Sequence, residues 1–166
     1  MVPRSARIIP PAPPGWESWE DLMAEALVEA GQAGAAGEVP VGALVVAGNG
    51  RILGKGRNAP ESLNDPTAHA EVAALRAACL ASRNYRLEGS VLVVTLEPCL
   101  MCVGALVHAR VAGLVYGAPD ARAGAVDSCL DGLDQPFHNH RPWSLGNIRR
   151  EECAALLRGF FERRRT

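Results

Sequence analysis

The chain has 166 residues, of which 48% are hydrophobic and 21% charged, and its formal net charge is −1. That length suits one domain with a substantial core, and the near-neutral balance excludes a global basic field, so any affinity for nucleic acid must come from local patches. Five cysteines, an odd number, argue against a disulfide framework; with no apolar segment long enough to span a membrane and no apolar signal-peptide core, the chain reads as cytoplasmic.

Residues 1–15 hold five prolines together with Arg4 and Arg7, a composition that predicts a flexible, polyproline-like arm ahead of a single domain over 16–166. Ser18 reads as the cap of a first helix, with Asp21 three residues on and a stripe of Trp19, Leu22, Met23, Ala26, Leu27 and Ala30. The glycines of 31–37 end it. An apolar strand over 41–47, a Gly48-Asn49-Gly50 turn and a returning strand over 52–56 make a hairpin, and Asn58 lies in the loop that leaves it. Asp65 and Pro66 read as N-cap and N1 of a helix reaching about residue 81, with Val72, Leu75, Cys79 and Leu80 inward. A buried strand over 90–95 follows, then a helix from Pro98 to about residue 109, and a strand at Leu114, Val115 and Tyr116. The stretch 119–142, rich in Gly, Asp and Asn, is expected to hold only a short helix around 128–133. Residues 143–148 predict a weak fifth strand, and 150–165 a last helix burying Cys153, Leu156, Leu157 and Phe160. Alternating strands and helices imply an α/β layered fold with parallel pairs, and the hairpin makes the sheet mixed.

The stretch Leu96-Glu97-Pro98-Cys99-Leu100-Met101-Cys102 carries the chemistry. A three-residue offset puts the Cys99 and Cys102 thiols on one face of a helical first turn, where free N–H groups and the helix dipole favour thiolate. Two thiolates that close call for a cation, and zinc takes cysteine sulfur and histidine nitrogen. Of the four histidines, His69 stands out within Asp65-Pro66-Thr67-Ala68-His69-Ala70-Glu71, in the first turn of another predicted helix. His69, Cys99 and Cys102 leave a fourth coordination position for water, the arrangement of catalytic zinc. Glu71 lies off the ligand face and leans toward that position. The alternative is a structural zinc knuckle with a fourth ligand from Cys79, Cys129, Cys153, His108, His138 or His140. No second Cys-x-x-Cys supports it, and His-x-Glu would then be coincidence.

His-x-Glu followed by Pro-Cys-x-x-Cys is the signature of the zinc deaminases. Over residues 16–165 the chain resembles bacterial tRNA-specific adenosine deaminases. The likeness is carried by Glu38-Val39-Pro40-Val41-Gly42-Ala43, Asn58, Asp65 to Glu71, Asn84-Tyr85-Arg86-Leu87, Thr95 to Cys102, Gly117-Ala118-x-Asp120, Asn139-His140-Arg141 and Glu152 to Leu157. The resemblance implies a cytidine deaminase-like fold, three layers with a five-stranded mixed sheet flanked by helices. It implies conversion of the wobble adenosine of an arginine tRNA to inosine, one Zn2+ per subunit on His69, Cys99 and Cys102, and a homodimer with the anticodon stem-loop across both subunits. It makes Asn58 the residue that hydrogen-bonds the target base and Asp120 a contact to the nucleic acid beside it. Phe161 would cover a flipped base, and Arg164 and Arg165 would meet phosphates. Pro119 departs from the pattern, standing where the family carries a basic residue.

Such a reaction needs a water activated by zinc, a proton for a ring nitrogen and another for the leaving amine; Glu71 suits the shuttle. The rival reading is a deaminase of a free base or nucleoside, guanine or cytosine, which shares both motifs. The Asn84–Leu87 stretch and the aromatic, basic C-terminus favour the tRNA enzyme. A non-catalytic partner subunit would lack Glu71.

Overall fold

The structure, a computed structural model, describes residues 8–165. Its strands are β1 (Gly42–Val46), β2 (Ile52–Arg57), β3 (Val91–Leu96), β4 (Gly113–Ala118) and β5 (Trp143–Leu145). Its helices are α1 (Trp19–Ala35), α2 (Pro60–Leu63), α3 (Ala70–Ser82), α4 (Leu100–His108) and α5 (Arg150–Arg164). The strands form one sheet in the order β2-β1-β3-β4-β5. β1 is antiparallel to both neighbours, while β3, β4 and β5 run parallel, so the sheet is mixed as the hairpin requires.

The two-residue period of the strands decides which layer each side chain joins. Leu44, Val46, Val93 and Val115 pack with Trp19, Leu22, Met23 and Ala26 of α1 and Cys153 of α5. Their alternates Ala43, Val45, Leu92, Val94, Leu114 and Tyr116 pack with α3 and with Val103, Leu106 and Val107 of α4. Three layers result. Ser18 and Asp21 form the expected capping box on α1.

Several expectations change, each for a physical reason. The inward stripe of α3 is Ala70, Ala74, Leu75 and Ala78, and Leu80 is 80% exposed. Small residues face the sheet because α3 lies directly on Gly54 and Gly56 of β2: a Cβ added at Gly54 would stand 2.5 Å from Ala78 N and 2.7 Å from Ala74 O. α3 begins at Ala70, because Asp65 is spent on a turn, its Oδ1 accepting from the Thr67 N–H (2.8 Å) and hydroxyl (2.7 Å). α4 begins at Leu100, with Pro98 ahead of it. No helix forms over 128–133. Of the Pro-rich arm expected over 1–15, residues 1–7 lie outside the described residues. From Pro10 on, the segment lies against the sheet end: Trp19 Nε1 donates to Pro10 O (3.0 Å) and Trp16 N to Pro13 O (3.2 Å).

Candidate active site

β2 and β3 are both antiparallel to β1, and β4 is parallel to β3, so all three point the same way. The residues that leave them therefore emerge at one sheet end: Asn58 after β2, Glu97 to Cys99 after β3, Pro119 and Asp120 after β4. The carboxyl ends of strands in open α/β sheets are where ligands bind. The N-termini of α3 and α4 start at this end as well.

His69 is the N-cap of α3 (φ −79°, ψ 150°) and Cys99 the N-cap of α4 (φ −76°, ψ 172°), each one residue ahead of the first turn where the sequence pattern puts it. Both have extended backbones, which turns their side chains off the helix ends and toward each other. Cys102 sits inside the first turn of α4 and is buried. His69 Nδ1 is 3.6 Å from each sulfur, and the three ligand atoms lie within 4.8 Å of one another. A tetrahedral ion with Zn–S near 2.3 Å and Zn–N near 2.05 Å sets its nitrogen and sulfur about 3.6 Å apart, so the triangle fits zinc. Among the described residues no other Cys, His or acid joins the group.

The electrostatics match that donor set. The Cys99 thiol is pushed down to about 4, first by the hydrogen bond from Cys102 and, against its burial, by His69. Cys102 is pushed up, first because it shares that bond and then by burial; the imidazole of His69 is raised chiefly through its bond to Cys99. The Glu71 carboxyl, on the first turn of α3 and 4% exposed, is raised to about 7 by burial above all. A carboxyl held in that range both takes and returns a proton near neutrality.

Asn58 Oδ1 accepts the Ala70 N–H at 2.9 Å. Its oxygen thus satisfies an orphan donor at the start of α3, and its NH2 group carries the remaining hydrogen-bonding capacity. Asp120 reaches the same end of the sheet, where Oδ1 accepts from Arg122 N (2.9 Å) and Ala123 N (3.3 Å). Glu97, which the sequence reading passed over, is 2% exposed and accepts from the backbone of Asp120, Val126, Asp127 and Ser128. Burial works to raise its pKa, but these bonds, with the Ser128 hydroxyl first among them, outweigh it and hold the carboxylate below the ordinary value.

The C-terminal residues divide. Arg164 spans Glu61 Oε1 (3.2 Å) and Gly37 O (3.0 Å) and lies over the Phe160 ring at 4.8 Å. It thereby fastens the exposed end of α5 to α2 at Glu61, three residues beyond Asn58, with its guanidinium engaged by groups of the chain. Phe161, edge-on to Phe160 at 5.4 Å, and Arg165 are exposed. Buried Glu38 secures the same corner by accepting from Ser62 N (2.7 Å) and Ser62 Oγ (2.8 Å). His138 Nε2 and His140 Nε2 meet the carbonyls of Gly132 and Val111 at 2.9 and 2.6 Å, so both serve to fix loops.

Comparison with known proteins bears on the chemistry of this site. Residues 17–118 match the family model of the cytidine and deoxycytidylate deaminase zinc-binding region. A tRNA-specific adenosine deaminase of Agrobacterium fabrum is 46% identical over 144 residues, covering 87% of this chain and 94% of that protein. A solved structure from studies of A-to-I editing by tRNA:A34 deaminases at the wobble position superposes with a TM-score of 0.80 at 44% identity, covering 82% of this chain and 99% of the other. A guanine deaminase from Nitrosomonas europaea shares the fold at greater distance, with a TM-score of 0.71 and 25% identity over 93% of this chain and 86% of its own.

Proposed function

The chain belongs to the cytidine and deoxycytidylate deaminase zinc-binding family, and from that premise we propose that it deaminates adenosine to inosine at the wobble position of a tRNA anticodon, that of an arginine tRNA. The observation that carries the reading is buried Glu71 beside the His69, Cys99 and Cys102 triangle, with the Asn58 amide on the same helix start. The zinc held by those three side chains, when bound, supplies the Lewis acid that brings a water's pKa toward neutrality. Glu71 takes one proton from the attacking water and passes it to a ring nitrogen, then takes the remaining proton of that oxygen and delivers it to the leaving amine. Water oxygen ends on C6, and ammonia leaves. Asn58, its oxygen committed to Ala70, presents its NH2 to an acceptor of the base. N–H groups at the start of α4 orient the reacting oxygen. Asp120 contacts the nucleotide beside the target, while Phe161 and Arg165 extend the contact to a neighbouring base and phosphate. Arg164 acts in this scheme by holding the α5 end in place.

No described helix is long and apolar enough to cross a membrane, and the reading places the enzyme in the cytoplasm, where its tRNA is. It also makes the protein a homodimer. The sheet buries Val103, Leu106 and Val107, and the apolar residues α4 leaves outward are Leu100 (61% exposed) and Met101 (37%), next to Cys99. Apolar surface so close to the metal site supports a second copy there; light scattering at micromolar concentration should give twice the chain mass, and a monomer refutes the dimer. Incubation with an arginine anticodon stem-loop and scoring of inosine tests the activity. Faster turnover of free guanine, cytidine or adenosine than of the stem-loop would overturn the tRNA reading in favour of the free-base deaminase.

A further inference from the structure

Glu97 stands on the turn that leaves β3, two residues ahead of Cys99, and it is buried to 2% exposure. A carboxylate taken so far from water needs several hydrogen bonds in exchange. All of those seen at Glu97 come from one loop. Oε1 accepts from Val126 N (3.1 Å), Asp127 N (2.7 Å) and Ser128 N (2.9 Å), and Oε2 accepts from Asp120 N (3.0 Å) and the Ser128 hydroxyl. No strand or helix of the loop satisfies these amides, and the carboxylate supplies their acceptor. The short helix expected around 128–133 does not form because Gly132 N bonds Ala125 O (2.9 Å) in place of Ser128 O four residues back.

The rest of the loop closes on the same group. Gly124 N bonds Asp120 O at 2.9 Å, Ala125 N bonds Pro98 O at 2.8 Å, and a Cβ on Gly124 would overlap the Glu97 carboxylate (2.5 Å from Oε2). The backbone thus wraps one anion, as successive amides do in anion-binding nests. One end of the wrap is the Asp120 amide; the other side of the carboxylate is tied covalently, within two residues, to Cys99.

We infer that Glu97 is a positioning residue for the reaction, holding Asp120 and the 120–128 loop at a set place relative to the Cys99 turn so that the nucleotide beside the target base meets a preformed surface. The inference rests on the reading of Asp120 as a substrate contact. Glu97 itself touches no substrate. Its oxygens are filled by the loop, and its influence passes through Asp120.

The experiment uses the full zinc-loaded protein, an arginine anticodon stem-loop and the Glu97→Gln variant, which keeps the size of the side chain but turns an NH2 toward amides that need an acceptor. The expected result is a KM raised about tenfold with kcat within about threefold of wild type, zinc content unchanged, and faster amide exchange over 120–128 than in the sheet. In an Asp120→Ala background, Glu97→Gln should add less than about twofold to KM, since coupled residues are non-additive. Ser128→Ala, which removes only the hydroxyl donor, gives a milder form of the same KM change and serves where Glu97→Gln does not fold. Wild-type KM in both variants overturns the inference, as does an effect confined to kcat or undiminished by Asp120→Ala. A wild-type protein that makes no inosine is a distinct outcome: it refutes the tRNA reading, and the inference falls with it.

Discussion

Replacing Gly54 or Gly56 with alanine tests how far the position of α3 governs the site. At Gly54 the new Cβ would lie 2.5 Å from Ala78 N and 2.7 Å from Ala74 O. A carbon needs roughly 3.4 Å from such atoms, so α3 and β2 must separate by about 0.9 Å. The neighbours that would have to yield are backbone, which cannot rotate away as a side chain does. Overpacking of this kind costs about 1–3 kcal/mol, and for a domain of this size each kcal/mol lowers Tm by about 2–4 °C. Gly56 is tighter still, and its close neighbours are Ala70 O and Ala74 N, on the turn that carries His69 and Glu71. A misplacement near 1 Å there is worth about a hundredfold in rate. Gly56→Ala should therefore lose both stability and kcat/KM, and Gly54→Ala chiefly stability. Gly31→Ala, within α1 and with nothing inside 4 Å of the added Cβ, is the control and should gain about 0.5–1 kcal/mol. Thermal unfolding and stem-loop kinetics read both quantities. A Gly56→Ala protein with wild-type Tm and wild-type rate would refute the claim that backbone contact with β2 sets where α3 begins.

Glu71→Ala should keep about one zinc per chain while losing about 10²–10⁴ in turnover, the usual worth of a positioned acid–base; metal analysis showing a zinc-free variant would make the carboxylate a ligand. His69→Ala or Cys102→Ala should release zinc and lower Tm together, because binding energy contributes to folding. At the α5 end, Arg165→Ala should leave Tm unchanged and flatten the salt dependence of stem-loop binding by roughly one unit. Arg164→Ala should instead cost up to about 1 kcal/mol of stability through its exposed bonds to Glu61 and Gly37; equal salt slopes for the two variants would contradict this division. Glu38 has a pKa below its ordinary 4.5: burial works upward, but the bonds from Ser62 and Glu61 and the charge of Arg164 outweigh it. The unfolded chain then takes up the proton first as pH falls, so the stabilisation is complete above about 4.5 and is lost through the lowered folded value. Glu38→Gln should flatten the decline of Tm on that acid side, and parallel curves for the two proteins would refute it.

The metal donors were legible in the chain because a Cys-x-x-Cys offset and a His-x-Glu pair are local facts of covalent spacing, and zinc chemistry restricts what such a set can bind. The strands and the longer helices were legible for the same reason: alternation at two residues and stripes near four are properties of a single segment, as Leu44 and Val46 against Ala43 and Val45 illustrate. What the chain could not display was any contact made between distant segments. His69 became a helix cap, not a first-turn residue, because Asp65 was drawn into a turn with Thr67 and because Asn58, twelve residues upstream of Ala70, accepted the first helical N–H. Leu80 turned outward because two glycines of another strand bring α3 so close that only alanines fit between. Arg164 met Glu61 across 103 residues of chain, and Glu97 drew its donors from 23 to 31 residues away. Periodicity carries no trace of such partners, since a hydrogen bond across the fold depends on where two backbones come to rest, and only the packed tertiary structure decides that.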